Sequence, residues 1–346
     1  APSLKLIFTP TSTPISIPSI AAPGPKQAAR STPAAPDSID VLLRGAQQYY
    51  QTWNNCGPAT LAMNLSFYGS TITQADAAKV LKPDPNDGNV SPDQIEAYAK
   101  SIGFHAILRV NGTMDLIKSL LRNGLPVLAE KGFEPEADLG WMGHYELIVG
   151  FNDTQQQFIA MDSYMGPYQA VPYDQFDRYW HDFNRTYLVV YPADLADSVT
   201  SILGDQLDTA TMWKHALTTS QQEAAQNPTD AFAWFDLGSN YVGLGDMPNA
   251  ATAYDHARSL GLPWRMTWYQ FGWFEAYDQI GRYEDVIALA DATINVTKNI
   301  EEMFYYKGLA LKAKGDIDDA RANFQIALQH NPNFGQAQVA LNNLTQ

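Results

Sequence analysis

A single cysteine occurs in the 346 residues, within Tyr50-Gln51-Thr52-Trp53-Asn54-Asn55-Cys56-Gly57-Pro58-Ala59. A polar turn runs into it and a helix-start signal follows. Pro58 suits a first helical position, where its missing N–H costs nothing. Leu61, Leu65 and Tyr68 then recur at helical spacing, and Gly69 suits the helix end. This pattern predicts Cys56 at or just before a helix N-terminus, where unpaired N–H groups and the positive dipole end favour a thiolate over a thiol. One reading is a nucleophile. The other is a buried structural cysteine, which packs as a small hydrophobe.

A cysteine nucleophile needs a base to take its proton and a third group to orient the base. Of the six histidines, His144 opens the β-like run Gly143-His144-Tyr145-Glu146-Leu147-Ile148-Val149-Gly150-Phe151. Asn152-Asp153 signals a turn, and Phe158 to Asp162 reads as the returning strand. His144 at the start of one strand and Asp162 at the end of the next are expected as neighbours across a hairpin. Taken singly, each also reads as an ordinary strand histidine or a strand-end cap. Their order behind the cysteine favours catalysis.

These residues resemble the C39-like branch of papain-fold cysteine peptidases, which includes the bacteriocin-leader peptidase domains. The resemblance runs from about Gln51 to Tyr191. It is carried by Gln51…Asn55-Cys56-Gly57-Pro58-Ala59, by Gly143-His144-Tyr145 with its apolar strand, and by Met161-Asp162-Ser163. The closing stretch Tyr173-Asp174-Gln175-Phe176-Asp177…Trp180…Tyr187-Leu188-Val189-Val190-Tyr191-Pro192 also fits. It implies Cys56 as nucleophile, His144 as general base and acid, Asp162 as orienter and Gln51 as side-chain donor to the oxyanion hole. In the leader peptidases that glutamine is expected one residue further upstream; Gln48 is the substitute here. The motifs leave hydrolysis and transfer open, since water or another amine could resolve the thioester.

Around this set the chain divides into three. Residues 1–36 hold eight Pro, nine Ser or Thr, Lys5, Lys26 and Arg30, and no acidic residue. Such a tract cannot bury a core and reads as an extended linker. It resembles the tether that follows a removed signal peptide or lipid anchor. With a start at Ala1 rather than methionine, it suggests an exported, extracytoplasmic protein, surface-tethered or free. An artificial chain start and a pro-segment lying in the groove are the competing readings of the tail. Residues 37–192 are the catalytic candidate. Capping signals at Thr73 and Ser91 start two helices, Thr113 to Leu121 forms a third, and strands are expected at Phe104–Val110, Pro126–Glu130, His144, Phe158 and Thr186. The acidic, aromatic stretch from Glu130 to Trp141 reads as a loop, either a lid or a plain solvated segment.

From about residue 193 to 346 the period changes. Gly245, Gly281 and Gly315 are spaced by 36 and 34 residues, near the 34-residue tetratricopeptide period. Trp234, Leu237-Gly238, Tyr241, Gly245, Ala250, Tyr254 and Ala257 match the repeat pattern. So do Phe304, Gly308, Leu311, Gly315, Ala320, Phe324, Ala327 and Pro332. The middle unit, with Trp273, Phe274, Tyr277, Gly281 and Ala290, diverges. A degenerate helix from Leu203 to Ala225 and a closing helix from Phe334 to Leu344 are expected to flank the stack. Of the cluster Trp264, Trp268, Tyr269, Phe271, Trp273 and Phe274, most is expected in the core and part on a groove.

The expected fold is therefore an α+β papain-like cysteine peptidase domain plus an all-α tetratricopeptide-repeat solenoid. The expected partner is a peptide or protein substrate, with the repeat groove open to a second protein. The net charge of −15 becomes −18 without the basic tail, and no basic stripe points to nucleic acid. No apolar run reaches the roughly 18 residues of a membrane span. No cofactor or metal is called for: the remaining histidines, His105, His181, His215, His256 and His330, form no ligand set and read as structural. Two alternatives to a peptidase stay open: a non-catalytic peptide-binding protein and a thioester-forming peptidyl or acyl transferase on the same triad.

Overall fold

The structure is a computed structural model describing residues 40–344. The tail over residues 1–36, linker or pro-segment, lies outside the described residues. Residues 40–192 build an antiparallel sheet of seven strands between helices. The strands are β1 (Val41–Leu42), β2 (His105–Arg109), β3 (Val127–Phe133), β4 (Met142–Asn152), β5 (Gln157–Asp162), β6 (Gly166–Pro172) and β7 (Tyr187–Tyr191). Their order is β2-β7-β3-β4-β5-β6, with β1 added beside β4. One face carries α1 (Cys56–Phe67), α2 (Gln74–Leu81) and α3 (Pro92–Ser101); the other carries α4 (Met114–Arg122) and α5 (Tyr173–His181). Central strands covered on both faces lose the apolar–polar alternation of a half-exposed sheet. That is why β4 is buried from His144 to Asn152 without a break.

The capping expectations hold at Thr73 and Ser91: Thr73 and Asp76 form a reciprocal capping box, and the Gln94 side chain accepts from the Ser91 N–H. Three details differ. Pro58 is the third residue of α1, not its first; its missing N–H is still one of the unpaired first-turn donors. β3 extends to Phe133, so Glu130 and Lys131 are buried strand residues rather than loop. β6 had no sequence signal beyond Gly166 because its pattern Gly-Pro-Tyr-Gln-Ala-Val-Pro has no clear alternation.

The helical region begins with α6 (Ala196–Leu203) and α7 (Thr209–Gln226). Three helix pairs follow: α8 (Ala231–Gly243) with α9 (Met247–Leu260), α10–α11 (Met266–Tyr269, Gly272–Gln279) with α12 (Tyr283–Ile294), and α13 (Glu301–Lys314) with α14 (Ile317–His330). Helix α15 (Gly335–Asn342) closes the stack. A close helix crossing needs a small residue against a large one. A Cβ on Gly238 would lie 2.7 Å from the Tyr254 ring, and one on Gly308 would lie 2.5 Å from the Phe324 ring. The middle unit inverts this: Phe274 stands at the glycine position and Ala290 at the aromatic one, both fully buried. Exchanging large and small keeps the volume roughly constant, and here the first helix of the pair is split at Gln270–Phe271. No helix among the described residues is long and apolar enough to cross a membrane.

The two regions share a core. Trp141 stacks on Phe183 at 5.7 Å, and both meet Tyr269. At the far end Trp268 covers Gly88, and Asp84 binds Asn299 and His330. Beside this contact, burial and then the charges of Glu301 and Glu302 push the Asp87 carboxyl well above its usual range. A carboxyl raised on folding contributes stability that is present at low pH and lost as pH rises through its folded value. Asp87→Asn is therefore expected to raise Tm at pH 8 and to change it less at pH 5. Thermal unfolding of the full chain at both values checks this, and a lower Tm at pH 8 would contradict it.

Candidate active site

Helix α1 starts on Cys56, which is half-buried. Its approach is held by two residues that the sequence pattern did not reveal. Lys82, itself buried, donates to the carbonyls of Trp53 and Asn54 at 2.8 and 2.9 Å. Gln74 accepts from the Thr52 N–H and the Asn55 amide and donates to the Tyr50 carbonyl. Asn54 takes a positive φ of 49° to make the turn. A Cβ on Gly57 would still find ordinary contact distances to Ile95, Val90 and Tyr145. Gly57 thus rests in van der Waals packing against Tyr145 of β4 and Ile95 of α3.

On the sheet, β4 and β5 pair so that Glu146 faces Asp162, which brings His144 within reach diagonally. The His144 Nε2 lies 3.1 Å from Asp162 Oδ2, with both side chains buried. Asp162 is also a turn cap: its Oδ1 accepts from the N–H groups of Tyr164 and Met165 at 2.6 and 2.8 Å. Phe133 stacks on the imidazole at 4.3 Å and fixes its plane. With Nε2 committed to Asp162, Nδ1 is the ring nitrogen left to serve the Cys56 sulfur, which lies near enough to feel the imidazole.

The electrostatics follow from these contacts. Burial alone would raise the Cys56 thiol. The hydrogen bond and charge of His144, with the Tyr145 and Gly57 N–H groups, outweigh it and bring the thiol below its ordinary value. Burial would lower His144, but Asp162 and the sulfur raise it to about 10. Burial would raise Asp162; His144 and the two backbone N–H groups hold it at about 2. The three groups thus favour a thiolate–imidazolium pair backed by a carboxylate. A second buried ion pair, Lys131–Glu146 at 3.2 Å, lies alongside, with Lys131 opposite His144 on β3.

Gln51 is joined to the same strand end. Its N–H donates to the Ser163 carbonyl at 2.9 Å, and its Oε1 accepts from the Ser163 hydroxyl at 2.8 Å. With the oxygen engaged, the amide nitrogen is the end left to serve as donor. Gln48 instead donates to the Asp162 carbonyl and braces β5. The structure therefore brings Cys56, His144 and Asp162 together, with His144 bonded to Asp162, and ties Gln51 to the neighbouring Ser163. The segment from Glu134 to Trp141 is anchored rather than loose. Glu134 accepts from Tyr179, Glu136 from Tyr164 and the Leu139 carbonyl from Arg265.

Residues 44–188 match the model of the Peptidase_C39 like family. The chain thus carries a C39-like peptidase fold followed by a helical stack of the tetratricopeptide type. Among solved structures it is similar to a C39-like peptidase from Bacillus anthracis (17% identity, TM-score 0.37, 44% of this chain and 98% of that one). It is also similar to the peptidase domain of Streptococcus ComA, a bi-functional ABC transporter involved in quorum sensing (21%, TM-score 0.35, 42% and 98%). A third likeness is to YrrB, a tetratricopeptide protein with an unusual peptide-binding site (16%, TM-score 0.33, 44% and 72%). No curated protein matches the chain.

Because Cys56 is the sole cysteine, alkylation by iodoacetamide reports on it alone. The rate at pH 6 is expected to exceed that of a free thiol by at least about tenfold. His144→Ala should return the rate at pH 6 to the free-thiol value, and Asp162→Asn should lower it less. An unchanged rate in His144→Ala would remove the imidazole from the pair.

Proposed function

We propose that the chain is a cysteine peptidase acting on peptide or protein substrates. The observation that supports this best is the His144–Asp162 hydrogen bond beside Cys56, with the sulfur at the start of α1 and its thiol pulled down by the imidazole. The Cys56 thiolate attacks the scissile carbonyl carbon, and the carbonyl π pair moves onto oxygen. The Gln51 Nε2–H and the Cys56 N–H are the donors for that oxyanion, each worth about 2.7–4 kcal/mol in a comparable site. His144 gives its proton to the leaving amine as the C–N bond breaks. Water, deprotonated by His144, then resolves the thioester and releases the acid. Asp162 keeps the imidazole oriented and stabilises its charged form throughout.

The surface around the sulfur suits an apolar peptide segment. Trp53 is 75% exposed and Tyr50 is 62% exposed on the strand of chain leading to Cys56. Tyr164 and Met165 present further apolar surface just beyond Asp162. Exposed apolar side chains grouped on the two segments that flank the site mark a binding surface rather than scattered exposure. The helical stack is read as a docking element for the substrate or a second protein. Export rests on the tract over residues 1–36 alone.

Incubation with a peptide library, read by mass spectrometry with and without an added amine, separates hydrolysis from transfer. Cleavage that incorporates water in both conditions is expected. Cys56→Ala and His144→Ala should each reduce it by about 1,000-fold or more without loss of fold. Products that carry the added amine would replace the peptidase reading with the transferase. Binding without any turnover would leave a peptide-capture protein.

A further inference from the structure

Three ionisable side chains that play no part in the Cys56, His144 and Asp162 set meet where the two regions join. His181 ends α5, Glu223 lies in the last turn of α7, and Asp236 lies in the second turn of α8. Spacings of 42 and 13 residues leave no motif, so His181 read from sequence as a structural histidine. In the fold its Nε2 lies 3.5 Å from Glu223 Oε2 and 3.6 Å from Asp236 Oδ2. One ligand atom from each of the three lies within 4.8 Å of the other two.

Asp236 is the member that calls for a ligand. It is 1% exposed, and neither of its carboxylate oxygens has a hydrogen-bond partner. A buried carboxylate is costly unless a countercharge meets it closely. Arg185 is already committed to Asp177 at 2.7 Å and to Glu223 Oε1 at 2.8 Å. The imidazole is too distant for a charge-assisted hydrogen bond, which is about 2.7–2.9 Å long. Separations of 3.5 and 3.6 Å instead approach the edge of a coordination tetrahedron, about 3.3–3.4 Å for nitrogen and oxygen ligands about 2.0–2.1 Å from the ion. By holding Glu223 Oε1, Arg185 leaves Oε2 on the His181 side, as an outer partner does for a ligating carboxylate. A cleft of about 510 Å³, lined by His181, Glu223, Arg185, Asn227 and Asp230 among others, gives an ion its way in from solvent.

We propose that His181, Glu223 and Asp236 bind one zinc ion, which clips α5 of the catalytic region to α7 and α8 of the helical stack. An imidazole with two carboxylates suits zinc better than magnesium or calcium, which take all-oxygen sets. Three protein ligands leave a fourth position for water. The site is independent of the cysteine chemistry. Its competitor is a proton on His181: burial opposes a charged imidazole, but Glu223 and Asp236 outweigh it and raise the group to about 9.

The test is a titration of zinc chloride into the full-length chain, freed of metal with EDTA and then of EDTA, read by calorimetry and by Tm. Every sample carries Cys56→Ala, so that the catalytic thiol adds no ligand. One zinc per chain at micromolar affinity or tighter is expected, with a rise in Tm because the ion binds only the folded chain. His181→Gln and Asp236→Asn should each weaken binding at least tenfold and remove the rise in Tm. Glu223→Gln, expected to do the same, replaces either variant that does not fold. No uptake by the parent chain, or uptake that these variants retain, would overturn the proposal and leave the proton as the occupant.

Discussion

The interaction on which the site depends is the electrostatic pairing of a sulfur with an imidazole, on elements 88 residues apart in the chain. Neither group would be ionised in this way alone. Burial opposes both charges: it raises a thiol and lowers an imidazole. Only each group's closeness to the other, together with the Asp162 carboxylate, reverses the sign. The pair is therefore sensitive to geometry. A small displacement of α1 against β4 loses the attraction and retains the desolvation cost. Much of the surrounding structure can be understood as restraint on that displacement, including the Lys82 and Gln74 bonds to the turn, the Gly57 packing and the Phe133 stack.

Asp162 shows how one side chain can serve fold and site together. One carboxylate oxygen closes the turn after β5 through two backbone N–H groups, while the other holds His144. The turn fixes the carboxylate, and the carboxylate fixes the ring. The same strand end carries Ser163, whose carbonyl and hydroxyl hold Gln51. The acid and the candidate oxyanion donor thus share one rigid support, as a preorganised site requires.

The junction between sheet and repeats follows from an irregularity in the repeats. Two units obey the small-against-large rule through Gly238–Tyr254 and Gly308–Phe324. The third reverses it with Phe274 and Ala290, and its first helix is broken. The break frees an aromatic segment that would otherwise fill the solenoid core. Trp268 and Tyr269 instead pack on Gly88 and Gly143 of the catalytic region, and both positions require a residue without a side chain.

Local chemistry in the sequence determined much of this protein: the helix start at Cys56, the helix caps at Thr73 and Ser91, the hairpin carrying His144 and Asp162, and the repeat spacing from Gly245 to Gly315. These are short-range effects of period, turn chemistry and backbone capping. The tertiary structure decided what depends on residues meeting from distant segments. The burial of Glu130 and Lys131 in β3 became evident only when both faces of the sheet were covered. Lys82 and Gln74 carry no motif, because a side chain reaching a backbone carbonyl some 25 residues away leaves no pattern. Tyr269 belongs to an aromatic cluster that read mostly as repeat core, and its place against Gly143 follows from packing two regions together, which no spacing within either of them encodes.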